Sequence, residues 1–196
     1  MCDDCSMLFV LLHGHDATPA TLAEPLQVLT GIKRGDVLAF EGRCVLPNGN
    51  RAWWDDGSSI VGVHEAVASL RAEIGSALAQ RDLGWNELVL IGFSQGASLA
   101  VGLACDGHSP SPGWVVCVAG FPPDGCELEH AAMKGLLVLH GTHDDVVDPM
   151  YGRIIARSAR KVGVVVAEAT HDGGHAWTVS CSEAVVRWLQ GSVAFP

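Results

Sequence analysis

The segment ELVLIGFSQGASLAVGLA, residues 87–104, runs an apolar stretch straight into Gly92-Phe93-Ser94-Gln95-Gly96 and then into a helical pattern. The stretch before the glycines has the continuous hydrophobicity of a buried strand, and Ala97, Leu99, Ala100 and Leu103 recur at helical spacing after them. A strand that turns sharply into a helix crowds the positions two residues either side of its apex. Glycine relieves that crowding because it has no side chain to clash. The apex residue, Ser94, then projects above the sheet edge, beside helix N–H groups that favour developing negative charge. A plain tight turn capped by Ser94 would use the same five residues, so the pattern gains meaning only from the rest of the chain.

Working outward, six apolar runs read as strands: MLFVLL (7–12), DVLAFEG (36–42), ELVLIGF (87–93), WVVCVAGF (114–121), LLVLHG (136–141) and VVVAEAT (164–170). Most are continuous rather than alternating, as expected of strands covered on both faces. Helices are predicted near 19–29, 60–81, 95–105, 149–161 and 180–190. In the second of these Ile60, Val63, Val67, Leu70, Ile74 and Leu78 recur every three or four residues. Asp148-Pro149 supplies an N-cap and a preorganised first helical residue. Alternation of strand and helix predicts one α/β domain over residues 1–196, a mostly parallel sheet of about six strands with helices on both faces.

Ligands of such a sheet collect outside the carboxyl ends of its strands. The residues just past the strand ends are therefore informative: His13-Gly14-His15-Asp16, then Ser94, then His140-Gly141-Thr142-His143-Asp144-Asp145, then His171-Asp172-Gly173-Gly174-His175. A serine hydroxyl needs a base to accept its proton, and the base needs an acid to fix its tautomer and stabilise the imidazolium. Where a serine occupies this kind of turn, the chain order is Ser, acid, His. The two later loops deliver Asp144 or Asp145, and His171 or His175, in that order. Glycines just before His175 suit a loop that approaches another side chain closely. His13 and His140 read as buried imidazoles bonded to backbone.

Trp53 and Trp54 come after the second strand at the same rim, and Trp177 lies two residues past His175. Aromatic side chains there suit either an apolar acyl pocket or the anchoring of loops on the core. His13-Gly14-His15-Asp16 has too few ligands in register for zinc, and Cys2-Asp3-Asp4-Cys5 lacks a second pair, so no metal is expected.

With 22 acidic against 12 Lys and Arg residues, the formal net charge is −10, which argues against nucleic acid or an anionic membrane as partner. Seven cysteines, an odd number, are scattered along the chain, and Cys44 and Cys117 sit in apolar runs where a free thiol packs as a small hydrophobe. No apolar run is long enough to span a bilayer. The start, MCDDCSMLFVLLHGH, lacks the basic region and cleavage pattern of a signal peptide, so a cytoplasmic location is expected. An acidic α/β domain of this size fits a monomer or a homodimer.

Taken together, LLHG, GFSQGA, HGTHDDVVDP and GGHAW, with AWWDD at 52–56, resemble the phospholipase/carboxylesterase group of the α/β-hydrolase superfamily, which includes acyl-protein thioesterase-like serine esterases. The likeness spans nearly the whole chain and implies the α/β-hydrolase fold. It matches Ser94 to the nucleophile, Asp144 to the acid and His175 to the base, with oxyanion donors at the backbone N–H groups of Gln95 and His15. Two positions depart from the group: Asp16 stands where a second glycine is usual, and Asp145 where proline is frequent. The implied activity is hydrolysis of small carboxylic esters, or thioesters, through an acyl-enzyme with no cofactor. A ligand-binding protein on the same fold, or an acyltransferase using the same triad, are the alternatives. Little sequence is left for a cap domain, so an open site taking short or accessible acyl groups is expected.

Overall fold

The six apolar runs form one parallel sheet. The computed structural model describes residues 7–23, 25, 27, 35–55 and 60–192. In chain order the strands are β1 (Met7–Leu12), β2 (Gly35–Phe40), β3 (Cys44–Val45), β4 (Arg51–Ala52), β5 (Leu88–Phe93), β6 (Trp114–Val118), β7 (Gly135–Gly141) and β8 (Val165–His171). The main sheet runs β2-β1-β5-β6-β7-β8 with every neighbouring pair parallel. Leu12 pairs with Gly92 and Gly141 with His171, so the loops bearing His13, Ser94, Asp144 and His175 all leave the same edge.

Among the described residues four helices with both ends placed cover the sheet: α1 (Ile60–Ala79), α2 (Gln95–Ala104), α3 (Pro149–Lys161) and α4 (Val179–Ser192). The two-residue alternation of β1 sends Leu8, Val10 and Leu12 to one face. The core on that face also holds Val67, Leu70 and Ile74 of α1, Leu99 and Leu103 of α2, and, over the β7–β8 side of the sheet, Ile155 and Ala156 of α3. Met7, Phe9 and Leu11 point the other way, into a smaller cluster with Cys181, Val185 and Leu189 of α4. Each such fully buried leucine, isoleucine or phenylalanine contributes roughly 1.5–3 kcal/mol. This two-sided burial is what makes the strands read as unbroken apolar runs.

Some boundaries differ from the sequence reading. The expected strand 114–121 stops at Val118, because Ala119 turns to φ 52° and gives its N–H to Leu139 O at 2.8 Å. Of the expected 19–29 helix, Pro19–Leu22 forms a 3₁₀ turn, and part of the remainder lies outside the described residues, as do Cys2 and Cys5. The β3–β4 hairpin is an element the periodicity did not reveal. Asp148 caps α3 as expected, its Oδ1 accepting from Met150 N at 2.8 Å. Among the described residues no helix is long and apolar enough to cross a membrane.

Candidate active site

Backbone crowding explains the two glycines of the Ser94 turn. A Cβ on Gly92 would collide with Gly96 O and with Ala97, and one on Gly96 would strike the carbonyls of Leu12 and His13. The turn thus brings the start of α2 against the end of β1 with no space for side chains. At its apex Ser94 has φ 53° and ψ −120°, a strained conformation for a residue other than glycine. Such strain costs about 1–3 kcal/mol and persists where surrounding structure over-determines it. Here Ser94 N–H donates to Val118 O at 2.9 Å, and Ser94 O accepts the first helical bond from Ser98 N at 3.0 Å.

Three loops converge above that apex. The Ser94 Oγ lies 2.9 Å from His175 Nε2, and His175 Nδ1 lies 2.8 Å from Asp144 Oδ2. A carboxylate only accepts, so the His175 proton sits on Nδ1 and Nε2 is left to accept from the serine hydroxyl. The other carboxylate oxygen of Asp144 takes the N–H groups of Val146 and Val147 at 3.0 and 2.9 Å. Burial raises the Asp144 pKa, but the Val147 N–H, the bond to His175 and the Val146 N–H together outweigh it and hold the carboxyl below its ordinary range. The Phe93 ring packs against the His175 imidazole, centroids 5.0 Å apart.

The competing residues lie elsewhere. Asp145 is exposed beside the buried Asp144. His171 is buried, and its ring nitrogens have no hydrogen-bond partner among the described residues, whereas His175 reaches the serine. His13 is a backbone-bonded core imidazole: burial lowers its pKa, its Nδ1–H faces Gly14 O at 2.7 Å, and its Nε2 accepts from Gly42 N at 2.9 Å.

The loop carrying His15 passes directly over the turn, since a Cβ on Gly14 would stand 3.3 Å from Ser94 Cβ. Gln95 opens α2, where first-turn N–H groups have no intrahelical partner. Its buried side chain clasps the tryptophan loop: Oε1 accepts from Trp53 N and Nε2 donates to Trp54 O, both at 2.9 Å. Asp16, the departure from the group's glycine, adopts the left-handed φ of 55° that glycine would favour. The β3–β4 hairpin supports it there. Asp16 Oδ1 accepts from Asn48 Nδ2 at 2.6 Å and from Asn50 Nδ2 at 3.0 Å, and Ala17 and Arg51 exchange backbone bonds. Those side-chain bonds also hold the Asp16 carboxyl below its usual pKa.

If this latch fixes the His15 loop over Ser94, replacing Asp16 by Leu should lower kcat on p-nitrophenyl acetate about tenfold, a fraction of the loss of a whole oxyanion donor. Asp16→Asn, which keeps an acceptor and tolerates the same φ, should retain most activity. Steady-state kinetics of the two variants check this.

All three tryptophans make anchoring contacts, and Trp53 and Trp54 also line a cavity of about 280 Å³ with Arg43, Glu65 and Glu73, whose lining does not include Ser94 or His175. Trp53 and Trp54 are only 7% and 8% exposed. Trp53 stacks on His13 and gives its Nε1–H to His13 O at 2.7 Å, while Trp54 meets Phe121 edge-on. Trp177 is half-buried and donates to Ser182 Oγ of α4 at 2.8 Å, fastening the loop that carries His175. The indole N–H groups of Trp53 and Trp177 found partners within the fold, which draws those rings inward.

A parallel sheet with helices on both faces, and a serine at a strained strand-to-helix turn facing a histidine–aspartate pair, define an α/β hydrolase. The sequence profile of the phospholipase/carboxylesterase family matches residues 5–191, and the chain belongs to that family of ester-hydrolysing enzymes. No curated protein matches the sequence. Among solved structures the chain resembles esterase PE8, with 22% identity, TM-score 0.86, and 96% of this chain and 94% of that one covered. It is also similar to the Bacillus cereus carboxylesterase (18% identity, TM-score 0.84, coverage 97% and 90%) and to Arabidopsis thaliana SOBER1 (18%, 0.80, coverage 96% and 100%). At these identities the likeness is one of fold.

Proposed function

We propose that this enzyme hydrolyses small carboxylic esters by nucleophilic catalysis, with Ser94 as nucleophile, His175 as general base and acid, and Asp144 as the acid that orients the imidazole. Ser94 Oγ attacks the acyl carbonyl while its proton passes to His175 Nε2. The charge that develops on the carbonyl oxygen is taken by the N–H groups of Gln95 and His15, donors of a kind worth about 3–4 kcal/mol each in such sites. His175 then protonates the departing alcohol, activates water against the acyl-enzyme and returns the proton to Ser94. All proton transfers in this scheme use protein groups, so it needs no cofactor.

The observation that carries the reading is the unbroken relay of two short hydrogen bonds, 2.9 and 2.8 Å, from Ser94 through His175 to Asp144. Family membership makes an ester the expected substrate. The His175 side chain retains 15% exposure, which suits accessible acyl groups. An alkyl fluorophosphonate tests the scheme. It should modify Ser94 alone, as mapped by peptide mass spectrometry, and should fail to modify the His175→Ala variant. Modification at another serine, or undiminished labelling without His175, would overturn the proposal.

A further inference from the structure

We propose that His140 is a positioning residue for the Asp144–His175 pair, its Nε2–H bracing both the 144–147 turn and the Asp144 carboxylate. The inference rests on the triad reading above and adds a fourth side chain to it. His140 is the penultimate residue of β7 and is only 4% exposed. Its Nε2 lies 3.0 Å from Val147 O and 3.4 Å from Asp144 Oδ2. A carbonyl only accepts, so the ring proton sits on Nε2. The contacts then close a circuit. His140 holds the carbonyl of Val147, the N–H of Val147 holds Asp144 Oδ1 at 2.9 Å, and Asp144 Oδ2 is left to His175.

Two imidazoles therefore meet one carboxylate oxygen, at 2.8 Å for His175 and 3.4 Å for His140. Only one of them can be charged without dividing the carboxylate's attraction. The surroundings of His140 keep it neutral. Burial lowers its pKa against the opposing pull of the Val147 carbonyl and of Asp144, with His175 lowering it further and Asp148 raising it. A second proton would sit on Nδ1, which is buried and has no hydrogen-bond partner among the described residues. That atom faces α3 at Gly152, where a Cβ would stand 2.9 Å away, so the glycine makes room for the ring. Other charged groups near the ring line an adjoining cavity of about 340 Å³: Asp148, Arg153 and Glu168, the last paired with Arg160 at 2.6 Å. An imidazole here supplies a donor without a charge, which an apolar side chain of the same size would not.

The experiment compares His140→Phe, which fills the space without a donor, with His140→Gln, whose amide N–H reaches the place of Nε2. Rates on p-nitrophenyl acetate are divided by the active-site concentration from phosphonate burst titration, so that misfolded protein does not count. The expected result for His140→Phe is a full burst per folded molecule, kcat lower by about 10–100-fold and KM within twofold, with His140→Gln recovering most of kcat. Wild-type kcat per titrated site in His140→Phe, or equal impairment of the two variants, overturns the proposal. Gly152→Ala, which presses on Nδ1 from α3, covers the case in which His140→Phe does not fold. It should lower kcat with KM unchanged, and an unaltered kcat would count against His140. Failure of the triad itself would show instead in the wild type, as phosphonate labelling away from Ser94.

Discussion

Ser94→Ala is expected to lower kcat on p-nitrophenyl acetate by about four to six orders of magnitude, the size of loss produced by removing a nucleophile that acts as one unit with its base. The reason lies in the geometry of the apex. Removing Oγ leaves His175 Nε2, now 2.9 Å from that oxygen, with no proton to accept and the acyl carbon with no attacking atom. The turn itself should survive, because its bonds are made by backbone. Ser94 N–H still reaches Val118 O and Ser94 O still receives Ser98 N. Thermal unfolding close to wild type together with lost turnover is the signature to look for, and KM or substrate-analogue affinity should change little. A variant that keeps more than about a hundredth of wild-type kcat would mean that another group attacks the ester.

Much of this arrangement was legible because it is local. Met7–Leu12 forms β1 with the bounds the apolar run suggested, since all six residues are buried and none alternates. The glycines flanking Ser94 are dictated by backbone contacts within the strand-turn-helix and with the end of β1, so their spacing announces the turn. Chain order of Ser94, Asp144 and His175 follows from the parallel topology, which sends each loop to the same rim.

What stayed hidden depends on partners distant in sequence. Trp53 turns inward because His13 O and the Gln95 amide meet it across about forty residues. Asp16 holds a glycine-like φ because Asn48 and Asn50 reach it from the hairpin, a contact no periodicity encodes. Asn48-Gly49, with Gly49 at φ 88°, was the one signal that could have announced that hairpin. His140 reads as a buried, backbone-bonded imidazole from its strand end alone. Its second contact, to Asp144, appears only when the 144–147 turn closes.

The acid offers the second large effect. Asp144→Asn keeps the shape of the side chain, and its amide oxygen can still take the N–H groups of Val146 and Val147. Its amide nitrogen then faces His175 Nδ1. Two donors cannot share that contact, so the His175 proton moves to Nε2 and points at Ser94, where an acceptor is needed. At neutral pH kcat should fall about 10⁴-fold with KM little changed, the consequence of the wrong tautomer. The pH dependence has a definite sign. Because the folded-state pKa of Asp144 is depressed below 3.8, its ionised form favours the fold fully above that value, and the contribution is lost as pH falls through the folded value. The stability advantage of wild type over Asp144→Asn, read from urea unfolding, should therefore be constant from pH 5 to 7 and shrink below about pH 4. Asp145→Asn serves as the control. That carboxylate is exposed, so its loss should change kcat by less than about threefold. If instead Asp145→Asn were the variant that failed, the 144–147 turn would have to rearrange in solution to present its neighbour to His175. The bonds from Val146 and Val147 to Asp144 would have to break for that to happen.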